Sequence, residues 1–198
     1  MTSKNERILF LSAETFPPVY AFLDHVFNRV LYGKGYRVSW IMPSEETKQV
    51  RAAYWGENRV WLIPKVRSTG LVGLIKEYIA HLRSIQEAVS KALEELGEFD
   101  MVQVRDDPIM AYVAWRLSQK KKIPFIYQVS HLKEEETILY ARMKLYGNPG
   151  KNYLKGRAGL FIRNWLLRKA DLVFPISDRM KETLAGYGVR RERMVTLP

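Results

Sequence analysis

Three groups of polar side chains directly follow apolar runs that are typical of buried strands. They are Ser12–Tyr20 (SAETFPPVY), Arg105–Asp107 (RDD) and Ser130–Glu136 (SHLKEEE). Ligands of an open α/β sheet bind outside the carboxyl ends of its strands, so we expect chemistry at these three places. Within them, Arg105 can hold an anion or pair with Asp106, and His131 can donate a hydrogen bond to a substrate hydroxyl.

Each group also has a purely structural interpretation. Asp106 or Asp107 stands just before Pro108, as a helix cap does when proline takes the first helical position, and this is the stronger interpretation. A single histidine such as His131 is more often a local structural contact. The run Glu134–Glu136 is typical of a solvated helix start, where the helix dipole favours acidic side chains.

The chain between these groups alternates strands with helices. The predicted strands are Arg7–Leu11, Arg37–Met42, Arg59–Ile63, Met101–Arg105, Pro124–Val129, Leu172–Ile176 and Met194–Leu197. The predicted helices cover Phe22–Leu31, a short one at Ser44–Glu46, Leu71–Leu96, Pro108–Lys121, Lys151–Lys169 and Met180–Tyr187, the last capped by Ser177 and ended by Gly188. Tyr146–Lys151 (YGNPGK) is predicted to be a loop. The alternation predicts an α/β fold, a Rossmann-like parallel sheet with helices on both faces.

The composition indicates one well-packed domain. The 198 residues are 47% apolar and include no cysteine, which excludes disulfides and thiolate metal sites. His25 and His81 are not spaced with carboxylates as a metal site requires, so we expect no bound metal. No apolar run reaches the ~20 residues of a membrane-spanning helix, and the N-terminal run is too short for a signal peptide. We therefore expect a cytoplasmic protein.

Several functional motifs are absent from the sequence. It has no GxGxxG fingerprint, no P-loop and no nucleophile elbow. The absence of these motifs argues against an NAD enzyme, an NTPase or a hydrolase. The strand aromatics stand within apolar runs rather than among basic residues, so nucleic acid is not expected as a partner.

The positive charge is concentrated in the last third of the chain. The net charge is +11, and residues 139–198 hold 13 basic and 4 acidic side chains. Such a region attracts the phosphates of a ligand, a lipid surface or a nucleic acid. A second interpretation is that an acidic part of a longer protein balances it.

The predicted helix over Lys151–Lys169 has two apolar lines. One face, expected to pack on the core, is made by Leu154, Ala158, Phe161, Ile162 and Trp165. The opposite side carries Tyr153, Leu160 and Leu167 at a spacing of seven, beside Arg163. We expect this second line to contact an anionic lipid surface or a partner. The alternative is that neighbouring loops cover the helix on both sides.

Three segments, taken in order, resemble one enzyme family. Ile8–Pro43 (ILFLSAETFPPVYAFLDHVFNRVLYGKGYRVSWIMP) is similar to the opening of the retaining glycosyltransferases of family 4, where a strand leads into a PP-x-GG-x-E-x-HV stretch. Phe99–Val129 and Ala170–Pro198 match the same family in order and spacing. The resemblance covers nearly the whole chain.

The resemblance implies one half of a two-domain GT-B fold. Residues 1–198 would be the N-terminal, acceptor-binding domain, and the C-terminal domain that binds the nucleotide sugar would be absent from this chain. The family transfers a sugar with retention and without a metal or other cofactor. The implied partners are the missing C-terminal domain, a nucleotide sugar as substrate, a sugar or lipid-linked acceptor, and an anionic membrane at the inner face. The implied role is in cell-surface polysaccharide or glycolipid synthesis, and this part alone would be inactive.

The resemblance also assigns roles to loop residues. The expected acceptor contacts are Glu14, Thr15, Phe16, Tyr20, Arg105, Asp106, Ser130, His131 and Glu135. The expected donor contacts are Val19, Tyr20, Ala21, Ser130 and His131. Tyr20 and Ala21 replace a glycine pair of the family and Leu23 replaces its glutamate, which weakens the donor role of this loop because a tyrosine impedes close backbone approach to a phosphate. No catalytic residue is assigned.

Two other classes of function remain open on the sequence. One is a sugar-nucleotide epimerase half with the same fold, which would isomerise the donor rather than transfer its sugar. The other is a non-catalytic basic α/β module that binds membranes or nucleic acid, with steeply salt-dependent affinity.

Overall fold

The structure is a computed structural model that describes residues 6–65, 70–145 and 147–197. It divides into two compact units, Met1–Phe125 and Ile126–Pro198. In both units parallel strands alternate with helices, so the predicted α/β class is confirmed.

The first unit is built on five strands. They are β1 (Arg7–Ser12), β2 (Arg37–Ser44), β3 (Arg51–Trp55), β4 (Asn58–Pro64) and β5 (Met101–Arg105). They lie in the order β3-β4-β2-β1-β5, and all neighbours are parallel except β3 and β4. Since Ser12 pairs with Arg105, β1 and β5 end at the same level of the sheet. The residues that follow these two strands are therefore neighbours.

Helices of the first unit cover both faces of this sheet. They are α1 (Ala21–Leu23), which continues through a π-helical segment (Asp24–Val30) into α2 (Leu31–Gly33), and then α3 (Gly70–Leu96) and α4 (Pro108–Lys121). Ile8 and Phe10 of β1 pack on one face with Leu23 and Phe27. The alternate residues of β1 point to the other face. Leu9 and Leu11 are fully buried there, and α3 and α4 contact the sheet. The Rossmann-like arrangement of the prediction is present.

The second unit contains a parallel pair of strands and three helices. They are β6 (Phe125–Val129), α5 (Lys133–Arg142), α6 (Pro149–Lys169), β7 (Leu172–Pro175) and α7 (Asp178–Gly186). Val129 pairs with Pro175, so β6 and β7 also end at one level. Ser177 caps α7 by accepting from Met180 N at 3.2 Å, and Gly188 has φ 85°, as the sequence predicts. Met194 forms a single parallel bridge with Val173 rather than a full strand.

The short helix predicted at Ser44–Glu46 does not form, and an antiparallel hairpin follows this segment. Ser44 is the last residue of β2, and its Oγ accepts from Glu46 N at 3.2 Å. The chain then forms β3, which pairs with β4 across a two-residue turn in which Gly56 has φ 60°. Glycine adopts this conformation without strain, which permits the tight reversal.

The predicted faces of α6 are wrong. The stripe expected in the core is outside, since Leu154 is 70% and Phe161 71% exposed, whereas Leu167 is 1% and Arg163 2% exposed. The reason is a buried ion pair between α6 and α5, described below, which holds the polar side of α6 inward. Arg163 and Leu167 are thus unable to contact a membrane. Helix α6 also starts earlier than predicted, because Asn148 accepts from Lys151 N at 3.0 Å within the predicted loop, whose first residue lies outside the described residues.

Candidate functional site

Four predicted acceptor residues of the first unit meet at the carboxyl ends of β1 and β5. Arg105 is 7% exposed. Its Nη1 lies 3.7 Å from Glu14 Oε1, and its Nε lies 3.5 Å from Asp106 Oδ2. The ring centroid of Tyr20 lies 5.1 Å from the guanidinium carbon. We call Glu14, Tyr20, Arg105 and Asp106 the Arg105 cluster; it combines a buried cation, two carboxylates and a half-exposed aromatic ring.

A tight turn presents this cluster. The backbone N–H of Asp107 donates to Arg105 O at 2.9 Å, which closes a three-residue turn around Asp106, whose φ is 63°. A left-handed backbone costs a residue with a side chain about 1–2 kcal/mol. Strain of this kind is found at functional sites, where the surrounding structure must hold it.

Asp107 holds the turn from its far side. Its Oδ1 accepts from Ile109 N at 2.7 Å and from Met110 N at 2.9 Å, so it caps α4, as the structural interpretation predicted. Its Oδ2 lies 3.2 Å from His81 Nε2. Burial acts to raise the pKa of Asp107, but the hydrogen bonds from His81 and the two amides outweigh it, and the pKa lies below its ordinary value. Asp107 is therefore an ionised anchor of the turn.

Thr15 and Phe16 have mainly structural contacts. Lys65 Nζ donates to Thr15 Oγ1 at 3.1 Å and to Glu45 Oε1 at 2.9 Å, which joins the loops after β1, β2 and β4. Phe16 N donates to Pro43 O at 2.8 Å, and its ring packs edge-on against the ring of Trp55, with centroids 6.5 Å apart. Phe16 is partly buried, so its assignment to the acceptor stays a prediction. Lys65 adds a cation that the sequence reasoning missed, although its position directly after a strand was a usable signal.

The predicted donor loop is open to solvent within its unit. Val19 is 88% and Tyr20 49% exposed, and Ala21 is exposed at the first position of α1. Tyr20 therefore has one ring face toward Arg105 and a large accessible surface. An aromatic ring in this setting can stack on the apolar face of a sugar.

In the second unit, the residues after β6 include an exposed histidine–carboxylate pair. His131 Nε2 lies 2.8 Å from Glu136 Oε2, and Tyr140 Oη donates to Glu136 Oε1 at 2.6 Å. The hydrogen bond from Tyr140, and then that from His131, lower the pKa of Glu136 below its ordinary value. Ser130 directly precedes this pair at the end of β6. Ser130 and His131 remain candidate ligand contacts of this unit.

Glu135 was predicted to contact the acceptor, but it is committed to a buried ion pair. Its Oε1 lies 2.6 Å from Arg163 Nη2 and its Oε2 2.7 Å from Arg163 Nη1, a bidentate contact. Glu134 Oε2 lies 2.8 Å from the same Nη1. Because both oxygens of Glu135 are engaged, we remove it from the candidate site. We call Glu134, Glu135 and Arg163 the Arg163 triad.

The close approach of α5 to α6 makes the Arg163 triad possible. A Cβ atom at Gly156 would lie 2.7 Å from Ile138 Cγ1 and 3.1 Å from Glu134 O. The glycine therefore allows the two helix backbones to come close enough for Arg163 to reach both carboxylates. No sequence signal pointed to this contact, since the partners are 28 and 29 residues apart.

The described part of the chain has neither a helix typical of a membrane span nor a cluster of side chains typical of a metal site. None of its helices is both long enough and apolar enough to cross a bilayer. None of its histidine and carboxylate side chains form a group of three or more around a common point.

Comparison with known families gives one match. The sequence profile described as "Glycosyl transferase 4-like domain" matches residues 30–198. No curated protein sequence matches the chain.

Comparison with solved structures gives a consistent fold. The UDP-GlcNAc 2-epimerase of Methanocaldococcus jannaschii aligns over 96% of this chain and 45% of its own, with a TM-score of 0.55 and 13% identity. HepE of Anabaena, solved in complex with UDP, aligns over 96% of this chain and 43% of its own, with a TM-score of 0.55 and 16% identity. UGT89C1 of Arabidopsis thaliana, complexed with UDP-L-rhamnose, aligns over 100% of this chain and 49% of its own, with a TM-score of 0.57 and 12% identity. At these identities the match concerns the fold, and the chain spans less than half the length of each structure.

Proposed function

Because the chain belongs to the glycosyl transferase 4-like domain family, we propose that it is the acceptor-binding part of a GT-B glycosyltransferase. The observation that carries the proposal is the profile match over residues 30–198, which includes the strands and loops of the second unit and most of those of the first. The fold likeness to proteins solved with UDP and with UDP-L-rhamnose supports a nucleotide sugar as the donor substrate. We further infer transfer with retention of configuration and without a cofactor.

The Arg105 cluster is the surface that we assign to the acceptor sugar. Glu14 and Asp106 can accept hydrogen bonds from sugar hydroxyls, and Tyr20 can stack on a sugar face. Arg105 fixes the two carboxylates by charge and is too buried to be the main contact. Carboxylates that are held before the ligand arrives lose less entropy on binding than mobile ones.

The donor requires groups besides the carboxylates of the Arg105 cluster. In the first unit Val19 and Ala21 are exposed beside Tyr20, the one cluster residue that we also assign to the donor. In the second unit His131 can donate to a diphosphate or a hydroxyl. We propose that a second domain of a longer protein supplies most of the nucleotide contacts and the groups that stabilise the departing diphosphate. On this proposal residues 1–198 alone turn over no donor.

We infer the class of acceptor from the charge of the chain. An excess of basic side chains in residues 139–198 favours an acceptor that is itself linked to an anionic lipid or lies at an anionic surface. We therefore propose a lipid-linked sugar acceptor at the inner face of a membrane, in cell-surface polysaccharide or glycolipid synthesis.

A transfer assay tests this function. The polypeptide encoded by the full reading frame is incubated with a panel of nucleotide sugars and a membrane lipid extract, and products are identified by mass spectrometry. We expect a lipid-extractable product that gains one sugar mass. Glu14→Gln should lower its rate at limiting acceptor about tenfold or more, because a charged hydrogen-bond acceptor is lost. Glu57→Gln, the same change in the exposed hairpin turn, is the matched control.

The same assay distinguishes sugar transfer from the second candidate function, which is epimerisation of the donor. The fold likeness to UDP-GlcNAc 2-epimerases favours an epimerase as the alternative. An isomerised donor that forms without acceptor would contradict transfer and support epimerisation.

A further inference from the structure

The outward face of α6 carries a continuous apolar stripe. Leu154, Ala158, Phe161 and Trp165 recur at intervals of four, three and four residues, which places them along one side of a helix. Leu154 is 70% and Phe161 71% exposed, and Ile162 beside them is 44% exposed. We call these five residues the α6 stripe. Large apolar side chains at this exposure are rarely contiguous on a surface that contacts only water.

Basic side chains border the α6 stripe on both sides. At 100° per residue, Arg157 and Arg168 fall on one side of the stripe and Lys155 falls on the other. Lys169 follows the stripe at the C-terminal end of the helix. All four are exposed, and Lys169 Nζ lies 5.9 Å from the ring centroid of Trp165. Helix α6 has no acidic residue between Pro149 and Lys169. The face is therefore apolar in the middle and positive at both edges.

The orientation of this face is fixed by the Arg163 triad. Arg163 lies on the opposite side of α6 and pairs with two carboxylates of α5 at 2.6–2.8 Å. Turning α6 to bury its apolar stripe would move Arg163 away from Glu134, which is buried. Breaking such a pair leaves an uncompensated buried charge, which is strongly unfavourable. The outward stripe is thus a stable property of the helix.

We propose that the α6 stripe binds an anionic membrane surface, with α6 lying in the plane of the headgroups. Apolar and aromatic residues flanked by Lys and Arg are the composition of helices that lie in this interface. Protein–protein interfaces, by contrast, are depleted of Lys, which here takes two of the four bordering positions. The charge of the border complements anionic lipid, and each basic side chain near such a surface adds to the attraction. This contact does not depend on sugar transfer.

Vesicle flotation of the 198-residue chain tests the proposal. We expect the chain to float with vesicles of phosphatidylglycerol and phosphatidylcholine but not with phosphatidylcholine alone, and to dissociate as salt rises. The double change Leu154→Glu and Phe161→Glu should lower the bound fraction about tenfold or more. Arg157→Glu should weaken binding to the mixed vesicles by a smaller factor.

The double change Ile75→Glu and Ile79→Glu is the matched control, since it places the same two charges on apolar residues of α3 that are 56% and 44% exposed. It should leave flotation unchanged. All these side chains are exposed, so unfolding curves in urea should coincide and exclude loss of fold. The proposal is overturned if the unchanged chain fails to float, or if the α6 double variant floats as well as the control. Self-association through the same residues without flotation would overturn it in favour of a protein partner.

Discussion

At the scale of single residues, the two carboxylates on Arg163 differ in what they contribute. Burial acts to raise the pKa of Glu135, but the bidentate contact with Arg163 outweighs it, and the pKa lies below the ordinary 4.5. For Glu134 burial prevails over the same guanidinium, and the pKa is raised above 4.5. Ionised Glu135 therefore stabilises the fold at neutral pH, whereas ionised Glu134 does not.

The neutral variants of these two residues should consequently differ. We expect Glu135→Gln to lower the free energy of unfolding at pH 7 by about 1.5–3 kcal/mol, the usual range for a charged hydrogen bond. Glu134→Gln should change it by less than about 1 kcal/mol, because the amide oxygen can still accept from Arg163 and no charge is buried. Urea denaturation of both variants measures the difference.

The pH dependence gives a second readout of the same pair. A depressed pKa means that the stabilisation by Glu135 is complete above about 4.5 and is lost as pH falls through the lower folded value. The gap between the unchanged chain and Glu135→Gln should narrow below pH 4.5. Equal losses for Glu134→Gln and Glu135→Gln, or a gap that is constant with pH, would contradict the assignment.

Residue roles could be predicted where the partner is close in sequence. The cap by Asp107 followed from Pro108 beside it, and Arg105 was found because it ends an apolar strand. The ion pair of Glu135 could not be predicted, because its partner Arg163 lies 28 residues away on another helix. His81 could not be connected to Asp107 for the same reason, since 26 residues separate them.

At the scale of elements, the contact between α5 and α6 depends on a missing side chain. We expect Gly156→Ala to destabilise the chain by about 1–3 kcal/mol, since its Cβ would lie 2.7 Å from Ile138 Cγ1 and 3.1 Å from a backbone oxygen. Gly186→Ala in α7 is the control, because nothing lies within 4 Å of its added Cβ. That change should be neutral or stabilising by up to about 1 kcal/mol. Thermal unfolding of both variants measures the effect, and equal behaviour would contradict the close packing of the helices.

Helices and strands could be predicted where the hydrophobic periodicity and the capping residues indicate the same bounds. The bounds of β5 and α4 match the prediction, because an apolar run is followed by an aspartate, a proline and a helical pattern. The hairpin strand β3 was missed, since its residues are mostly exposed and show no apolar run. The faces of α6 were reversed because apolar periodicity alone was used, whereas the ion pair of Arg163 decides which side is buried.

At the scale of the whole molecule, the α/β class and the family were accessible from the order of the motifs along the chain. The profile match over residues 30–198 shows that the chain belongs to the glycosyl transferase 4-like domain family, and this is consistent with the resemblance found in the sequence. The solved structures of the same fold are more than twice as long as the part that aligns, since this chain covers 43–49% of them. We propose that this chain binds the acceptor and that a second domain of a longer protein binds most of the nucleotide sugar.

This proposal predicts that the carboxylates of the Arg105 cluster affect the binding of the acceptor only. Asn tolerates the left-handed backbone that Asp106 adopts, so Asp106→Asn removes the charge with little change in shape. Steady-state kinetics of this variant of the full polypeptide, with each substrate varied in turn, separates the two sites. We expect the KM for the acceptor to rise about tenfold or more, because a charged hydrogen bond to a hydroxyl is weakened, while the KM for the nucleotide sugar is unchanged. An unchanged acceptor KM, or an equal rise for both substrates, would contradict acceptor binding by these residues.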